Sequence, residues 1–94
     1  MPEEFLLHQN YPNPFNSSTM VKFNIPEPSL IDLSVYDLTG RKVAVLLSQN
    51  VAPGFHEIIW NGKDDKFLNS PSGVYFIMLK TDQYRKAKKM LLIK

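Results

Sequence analysis

Two histidines, a pair of adjacent aspartates and a run of bases near the C-terminus are the side chains of this 94-residue chain whose types invite chemistry. His8 and His56 stand far apart, and neither has a second ligand at metal-binding spacing. His56 falls in step with Ile58 and Trp60 in an alternating run, which predicts a half-buried, hydrogen-bonded packing residue. Asp64-Asp65 offers hard oxygens that suit calcium, yet two neighbouring carboxylates equally describe a solvated loop tip. Asn16-Ser17-Ser18 matches the glycosylation triplet, a pattern frequent by chance. The chain has no cysteine, which excludes a disulfide framework, a thiolate nucleophile and a Cys-ligated metal. No glycine-rich phosphate cradle or nucleophile elbow occurs, and the order of Ser, His and Asp nominates no triad. These residues describe a non-enzyme with no cofactor, no metal and no small-molecule substrate.

The charge distribution is more informative. From Arg85 onward the chain carries Arg85, Lys86, Lys88, Lys89 and Lys94 and no acid. Two readings stand: lysines that protect an edge strand from aggregation, or a basic face that a partner recognises. Nucleic acid is a poor partner, because the net charge is only +2 and Tyr84 is the one neighbouring aromatic.

Composition then bounds the scaffold. With 44% hydrophobic and 12% aromatic residues the chain is globular, and its length fits one domain with a modest core. No apolar run approaches the ~18–20 residues of a membrane-spanning helix. Met1-Pro2-Glu3-Glu4 is acidic where a secretory signal is basic.

The hydrophobic period is two. Val21, Phe23 and Ile25 alternate with Met20, Lys22 and Asn24; Ile31, Leu33 and Val35 alternate with Asp32, Ser34 and Tyr36; Val43, Val45 and Leu47 share a third face. Half-buried strands have this pattern, and no window supports a helix of useful length. The expected core is Val21, Phe23, Ile31, Leu33, Val35, Val43, Val45, Ile58 and Trp60, with Trp60 at its centre. Asp37 to Arg41 reads as a type I hairpin turn closed by Gly40 in the left-handed region. Pro53-Gly54 fits the centre of a type II turn. Pro26 and Pro28 stop the strand before them. A short strand near Phe5 to Leu7 and two at the end, "GVYFIMLKT" and "KKMLLIK", complete the count. About seven strands with turns every ~8–12 residues predict an all-β, immunoglobulin-like antiparallel sandwich, with a small barrel as the alternative. The expected layout is a single domain over 1–94, with an extended lead-in over 1–17 and the sandwich core over 18–94.

Taken in order, "QNYPNPFN", "VKFNIP", "LSVYDLTGRKV", "GFHEIIWNG", "PSGVYF" and "KKMLLIK" resemble the C-terminal sorting domain of type IX secretion cargo (the Por system, type A), found on exported proteins of Bacteroidetes and relatives. The likeness covers roughly residues 6 to 94. The middle strands also resemble the Ig-like domain of the flagellar hook-capping protein, but the opening loop and closing lysine tract favour the sorting domain. Where the pattern often has Asp after Trp, this chain has Asn61, which caps a turn equally well.

The resemblance implies a signal at the end of a longer secreted protein. Its partners would be an N-terminally fused cargo, the outer-membrane translocon of type IX secretion and a sortase-like peptidase. The cargo would pass through the periplasm and end secreted or on the cell surface. Met1 would then be an added start and Lys94 the natural end. The signal itself would lie in Gly73, Val74 and Tyr75 and in Lys88, Lys89, Met90, Leu91, Leu92, Ile93 and Lys94, an edge strand gripped through its backbone with bases setting the register.

The stretch Tyr11, Pro12, Asn13, Pro14, Phe15 and Asn16 has a structural reading. The prolines restrict the path, Tyr11 and Phe15 drop rings onto the sandwich, and the asparagines bond backbone groups that no ladder satisfies. Exposed rings would instead favour a ligand loop. A sugar-binding accessory module remains as a rival, with Phe55 and Tyr75 as its outward aromatics, as does an assembly domain that self-associates through an edge.

Overall fold

The computed structural model describes residues 1–94 and contains seven strands and no helix. They are β1 (Leu6–Leu7), β2 (Thr19–Ile25), β3 (Ser29–Asp37), β4 (Lys42–Val51), β5 (Gly54–Trp60), β6 (Gly73–Lys80) and β7 (Arg85–Leu92). One sheet has the order β1-β2-β5 and the other β4-β3-β6-β7, all pairs antiparallel. The two sheets bury a shared core, so the fold is the expected Ig-like sandwich.

Alternation decides which side chains fill it. Val21, Phe23, Ile25, Ile31, Leu33, Val35, Ile77 and Leu79 are all essentially inaccessible to solvent. Trp60 lies among them with Phe15 and Tyr75 against its ring, at centroid distances of 5.6 and 5.4 Å. Its indole N–H donates to the Lys63 carbonyl at 2.9 Å, which satisfies the one polar atom the burial would otherwise strand.

Three core assignments from periodicity need correction, and two of them trace to β4. Between Leu33 and Ser34 the partner on β4 jumps from Leu47 to Val45, and between Val35 and Tyr36 it jumps from Ala44 to Lys42. Leu46 and Val43 are therefore extra residues in two bulges, and each insertion reverses the face of the residues beyond it. Ala44 is consequently buried, Val45 is 40% exposed, and Val43 packs only partly against the core. Ile58 is likewise half-buried, because β5 is an edge strand.

The turns obey local chemistry with one departure. In the β3–β4 hairpin the Asp37 carboxylate accepts the amides of Thr39 and Arg41 at 2.9 and 3.0 Å, and Gly40 takes φ 87°. Those bonds hold the Asp37 carboxyl below its ordinary 3.8, the Thr39 side-chain bond foremost. Pro53-Gly54 is not a type II hairpin turn. Gly54 has φ 148° where that turn needs about +80°, it already pairs with Ile25, and the connection crosses from one sheet to the other.

Gly62 is held more tightly. It has φ 76°, and a Cβ there would lie 3.0 Å from the Ser17 carbonyl oxygen. Gly62→Ala should therefore destabilise the domain by more than about 1 kcal/mol in urea melts, and Gly40→Ala, which meets open space, by about 1 kcal/mol or less. Equal losses for the two variants would show that the Ser17 contact is not tight.

Candidate functional site

Arg85, Lys86, Lys88 and Lys89 lie on β7, an edge strand of the larger sheet, and Lys94 lies just beyond it. Register places Gly73 opposite Leu92, Val74 opposite Leu91 and Tyr75 opposite Met90. The two stretches singled out as the signal are thus cross-strand partners. Met90 and Leu92 point into the core and are fully buried, whereas Leu91, Ile93 and Lys94 are exposed. Lys89 is exposed and Lys88 partly covered. Tyr75 is buried and donates its phenolic O–H to the Pro71 carbonyl, so it is no outward aromatic; Phe55 is 71% exposed.

The segment before β2 is laid along β7. The Phe15 amide donates to the Leu91 carbonyl at 2.9 Å, and the Ile93 amide donates to the Phe15 carbonyl at 2.9 Å. Phe15 thereby forms a one-residue parallel bridge to Leu92. The Leu91 amide donates to Asn13 Oδ1 at 3.0 Å, and Gln9 Nε2 donates to the Lys89 carbonyl at 2.7 Å. Residues 9–15 are a strap that satisfies the outer edge of β7 from Lys89 to Ile93. Asn10 anchors the strap from inside: its Nδ2 donates to Thr19 Oγ1 at 2.9 Å and to the Pro12 carbonyl at 3.1 Å.

The two rings of the strap part company. Phe15 is 2% exposed and packs on Trp60. Tyr11 is 80% exposed, contrary to the expectation that both rings cover the sandwich. Its backbone exchanges two hydrogen bonds with Met20, at 3.0 and 2.9 Å. Directly opposed residues share a face, so Tyr11 goes with Met20 to the outer side of the smaller sheet. Pro12, Asn13, Pro14 and Asn16 are exposed. Leu7 and Phe15, both within the expected lead-in, belong to the core.

Other candidates serve the fold. His56 is stacked on Phe23, with centroids 5.4 Å apart, and bonds the Ala52 carbonyl at 2.8 Å. Asp64 accepts the amides of Lys66 and Leu68, and Asp65 accepts that of Val45, so both carboxylates shape the β5–β6 loop. No group of three or more His, Cys, Asp or Glu side chains converges as for a metal. Asn61 Oδ1 accepts the Lys63 amide at 3.0 Å, the turn cap expected of it. Asn10 bonds the Pro12 carbonyl, as expected of the asparagines in this stretch; sequence reasoning missed Gln9, whose role appears only when the strap is folded against β7.

Known proteins share this architecture. The family model of the secretion system C-terminal sorting domain matches residues 9–94. The chain belongs to that family. The match runs from Gln9, where the strap begins, to Lys94 beyond β7. Among solved structures, the sorting domain superposes on part of dimeric latent PorU from Porphyromonas gingivalis with TM-score 0.69 and 21% identity, covering 95% of this chain and 9% of that one. It also superposes on FlgD from P. aeruginosa, with TM-score 0.62, 26% identity and coverage of 80% and 59%. PorZ, a surface component of the type IX secretion system of Porphyromonas gingivalis, gives TM-score 0.59 and 18% identity over 98% of this chain and 12% of that one. At such identities the PorU and PorZ likenesses establish the fold alone. The sorting domain spans a small fraction of those two proteins and under two thirds of FlgD. A search of curated proteins returns no match.

The strap and its neighbour can be probed separately. Phe15→Ala should cost about 3 kcal/mol or more in chemical unfolding, and Tyr11→Ala less than about 0.5 kcal/mol; comparable costs would show that both rings pack. The Tyr75 phenol is raised above its ordinary 10.0, chiefly by burial. A raised folded value means that its contribution is complete below pH 10.0 and is lost as pH climbs through the folded value. Thermal melts above that pH should fall more steeply for the native chain than for Tyr75→Phe, and parallel slopes would show that Tyr75 ionises without consequence.

Proposed function

We propose that this domain is a non-catalytic secretion signal that directs a cargo fused to its N-terminal side across the outer membrane through the type IX translocon. The observation that carries the reading is the family match over residues 9–94, which takes in the strap and the strand it covers. The cargo crosses the periplasm and ends at the cell surface or in the medium, and a sortase-like peptidase acts on it after transit. Recognition falls on the end of the larger sheet: Gly73, Val74 and Tyr75 on β6, and Lys88, Lys89, Met90, Leu91, Leu92, Ile93 and Lys94 on and beyond β7. Within that set the exposed Lys89, Leu91, Ile93 and Lys94 are available to a partner, and the buried Met90 and Leu92 hold the strand in place.

Binding is the chemistry such a surface supports. The bases have no acid partner in the chain, whose two ion pairs are Arg41–Asp37 and Lys42–Asp32. An accessory sugar-binding module would need an aromatic platform, and with Tyr75 buried the two expected aromatics reduce to Phe55.

The test is export of a reporter carrying an N-terminal signal peptide and fused to residues 1–94, in a host with type IX machinery. The intact fusion should reach the surface or medium, and a version ending at Lys86 should stay in the periplasm. Because that truncation removes Met90 and Leu92 from the core, a Lys89→Glu/Lys94→Glu fusion provides the folded counterpart and should also be retained. Periplasmic retention of the intact, folded fusion would sink the sorting reading.

A further inference from the structure

β7 is only half covered. Its outward backbone groups belong to the odd-numbered residues, as the bonds from Leu91 and Ile93 to the strap and from Gln9 to Lys89 establish. By the same alternation the amide and carbonyl of Arg85 and Ala87, and the amide of Lys89, face outward, and no strap residue reaches them. The strap ends at the Lys89 carbonyl and the β6–β7 turn closes at Tyr84, whose carbonyl accepts the Thr81 amide. Between them lies a ladder of open donors and acceptors from Arg85 to Lys89.

Side chains give that slot a chemical identity. Arg85 and Lys89 stand on the outer face of the sheet, opposite Lys80 and Phe76. Lys86 and Lys88 stand in the core-facing register, opposite Leu79 and Ile77. Ala87 lies between the bases, opposite Met78, and is exposed. None of the four bases has an ion-pair partner. Beside them, on the outer face, a groove of about 400 Å³ has apolar walls from Leu38, Phe76, Met78 and Ala87, with the Lys80 and Arg85 bases and one acid, Asp37, also lining it.

We propose that the open half of β7, Arg85 to Lys89, receives an acidic, extended polypeptide segment that adds as a fifth strand to the larger sheet. Main-chain bonds to Arg85, Ala87 and Lys89 supply the alignment. Register supplies the pattern: acidic residues opposite Arg85, Lys86, Lys88 and Lys89, and one large apolar residue opposite Ala87. The small Ala87 side chain leaves room for that residue to lean onto Met78 and Phe76. The same charges reject a neutral or basic edge, including β7 of a second copy, which would bring four bases against four. The proposal rests on the reading of β7 as the recognised strand and names the partner chemistry that strand selects.

The test is fluorescence anisotropy of the intact domain with a labelled Thr-Glu-Glu-Phe-Glu-Glu-Thr peptide. Binding is expected, and it should weaken about tenfold at high ionic strength. Lys86→Glu/Lys88→Glu should weaken it about tenfold as well. Ala87→Pro removes an outward amide that β6 does not use, a substitution edge strands tolerate. It should leave the melting temperature near that of the native chain and weaken binding about tenfold. Equal binding of the Gln-for-Glu peptide, or unchanged binding by both variants, would overturn the proposal. So would capture by phosphatidylglycerol vesicles with no peptide binding, which would make the patch a lipid-facing one. Export separates the two readings. An exported fusion whose domain binds no acidic peptide sinks the edge site alone, and a peptide-binding domain whose fusion is retained sinks the sorting reading alone.

Discussion

Phe15 is the point on which the rest of this sandwich depends. Its ring is sealed against Trp60 in the core, and its own amide and carbonyl are bonded to the last strand. One residue therefore fastens the segment before β2, the centre of the core and the end of β7. A ring buried at that depth cannot shift without opening a cavity, and the backbone carrying it cannot shift without stranding the polar groups of β7. The two demands reinforce each other.

The constraint behind this arrangement is the sheet edge. A sandwich of two open sheets has four edge strands, here β1, β5, β4 and β7. The strap continues the line of β1 along β2 and then crosses to β7, bonding Met20 on one sheet and Leu91 on the other. Along β4, Asp65 and its loop satisfy Val43 and Val45, while β5 carries an exposed Phe55 and Ile59. The molecule thus treats its edges unequally, and most of its covering goes to the strand that carries the unpaired bases. On the proposed reading of β7 as the recognised strand, such support is useful, because a rigid edge loses little freedom when a partner adds to it.

Legibility varied along the chain for physical reasons. Apolar and polar residues alternate along β2 and through Ile31, Leu33 and Val35 of β3, so their core residues could be read from spacing; β6 is apolar on both faces, and its buried Tyr75, Ile77 and Leu79 could not. In β4 the spacing misleads, because the bulges at Val43 and Leu46 depend on pairing with β3. Tyr11 and Phe15 look alike in sequence, two aromatics flanked by prolines. They diverge because one backbone pairs with Met20 at the outer face of a sheet and the other with the end of β7. Tyr75 and Phe55 show the same effect: which face an aromatic takes depends on register, and register on partners distant in the chain.

By itself the sequence determined the class of fold, the positions of most turns, the absence of thiol chemistry and the run of unopposed bases, since each depends on residue type or on neighbours a few positions away. The order of motifs also carried the family. Tertiary structure alone decided that the opening strap and the closing strand form one unit, that Gly73 to Tyr75 pair with Met90 to Leu92, and that half of β7 stays open. Those facts reside in hydrogen bonds between residues nearly the length of the chain apart, Gln9 to Lys89 and Asn13 to Leu91 among them. No local preference encodes such a bond; it exists only once the sheets have packed and brought the edges together.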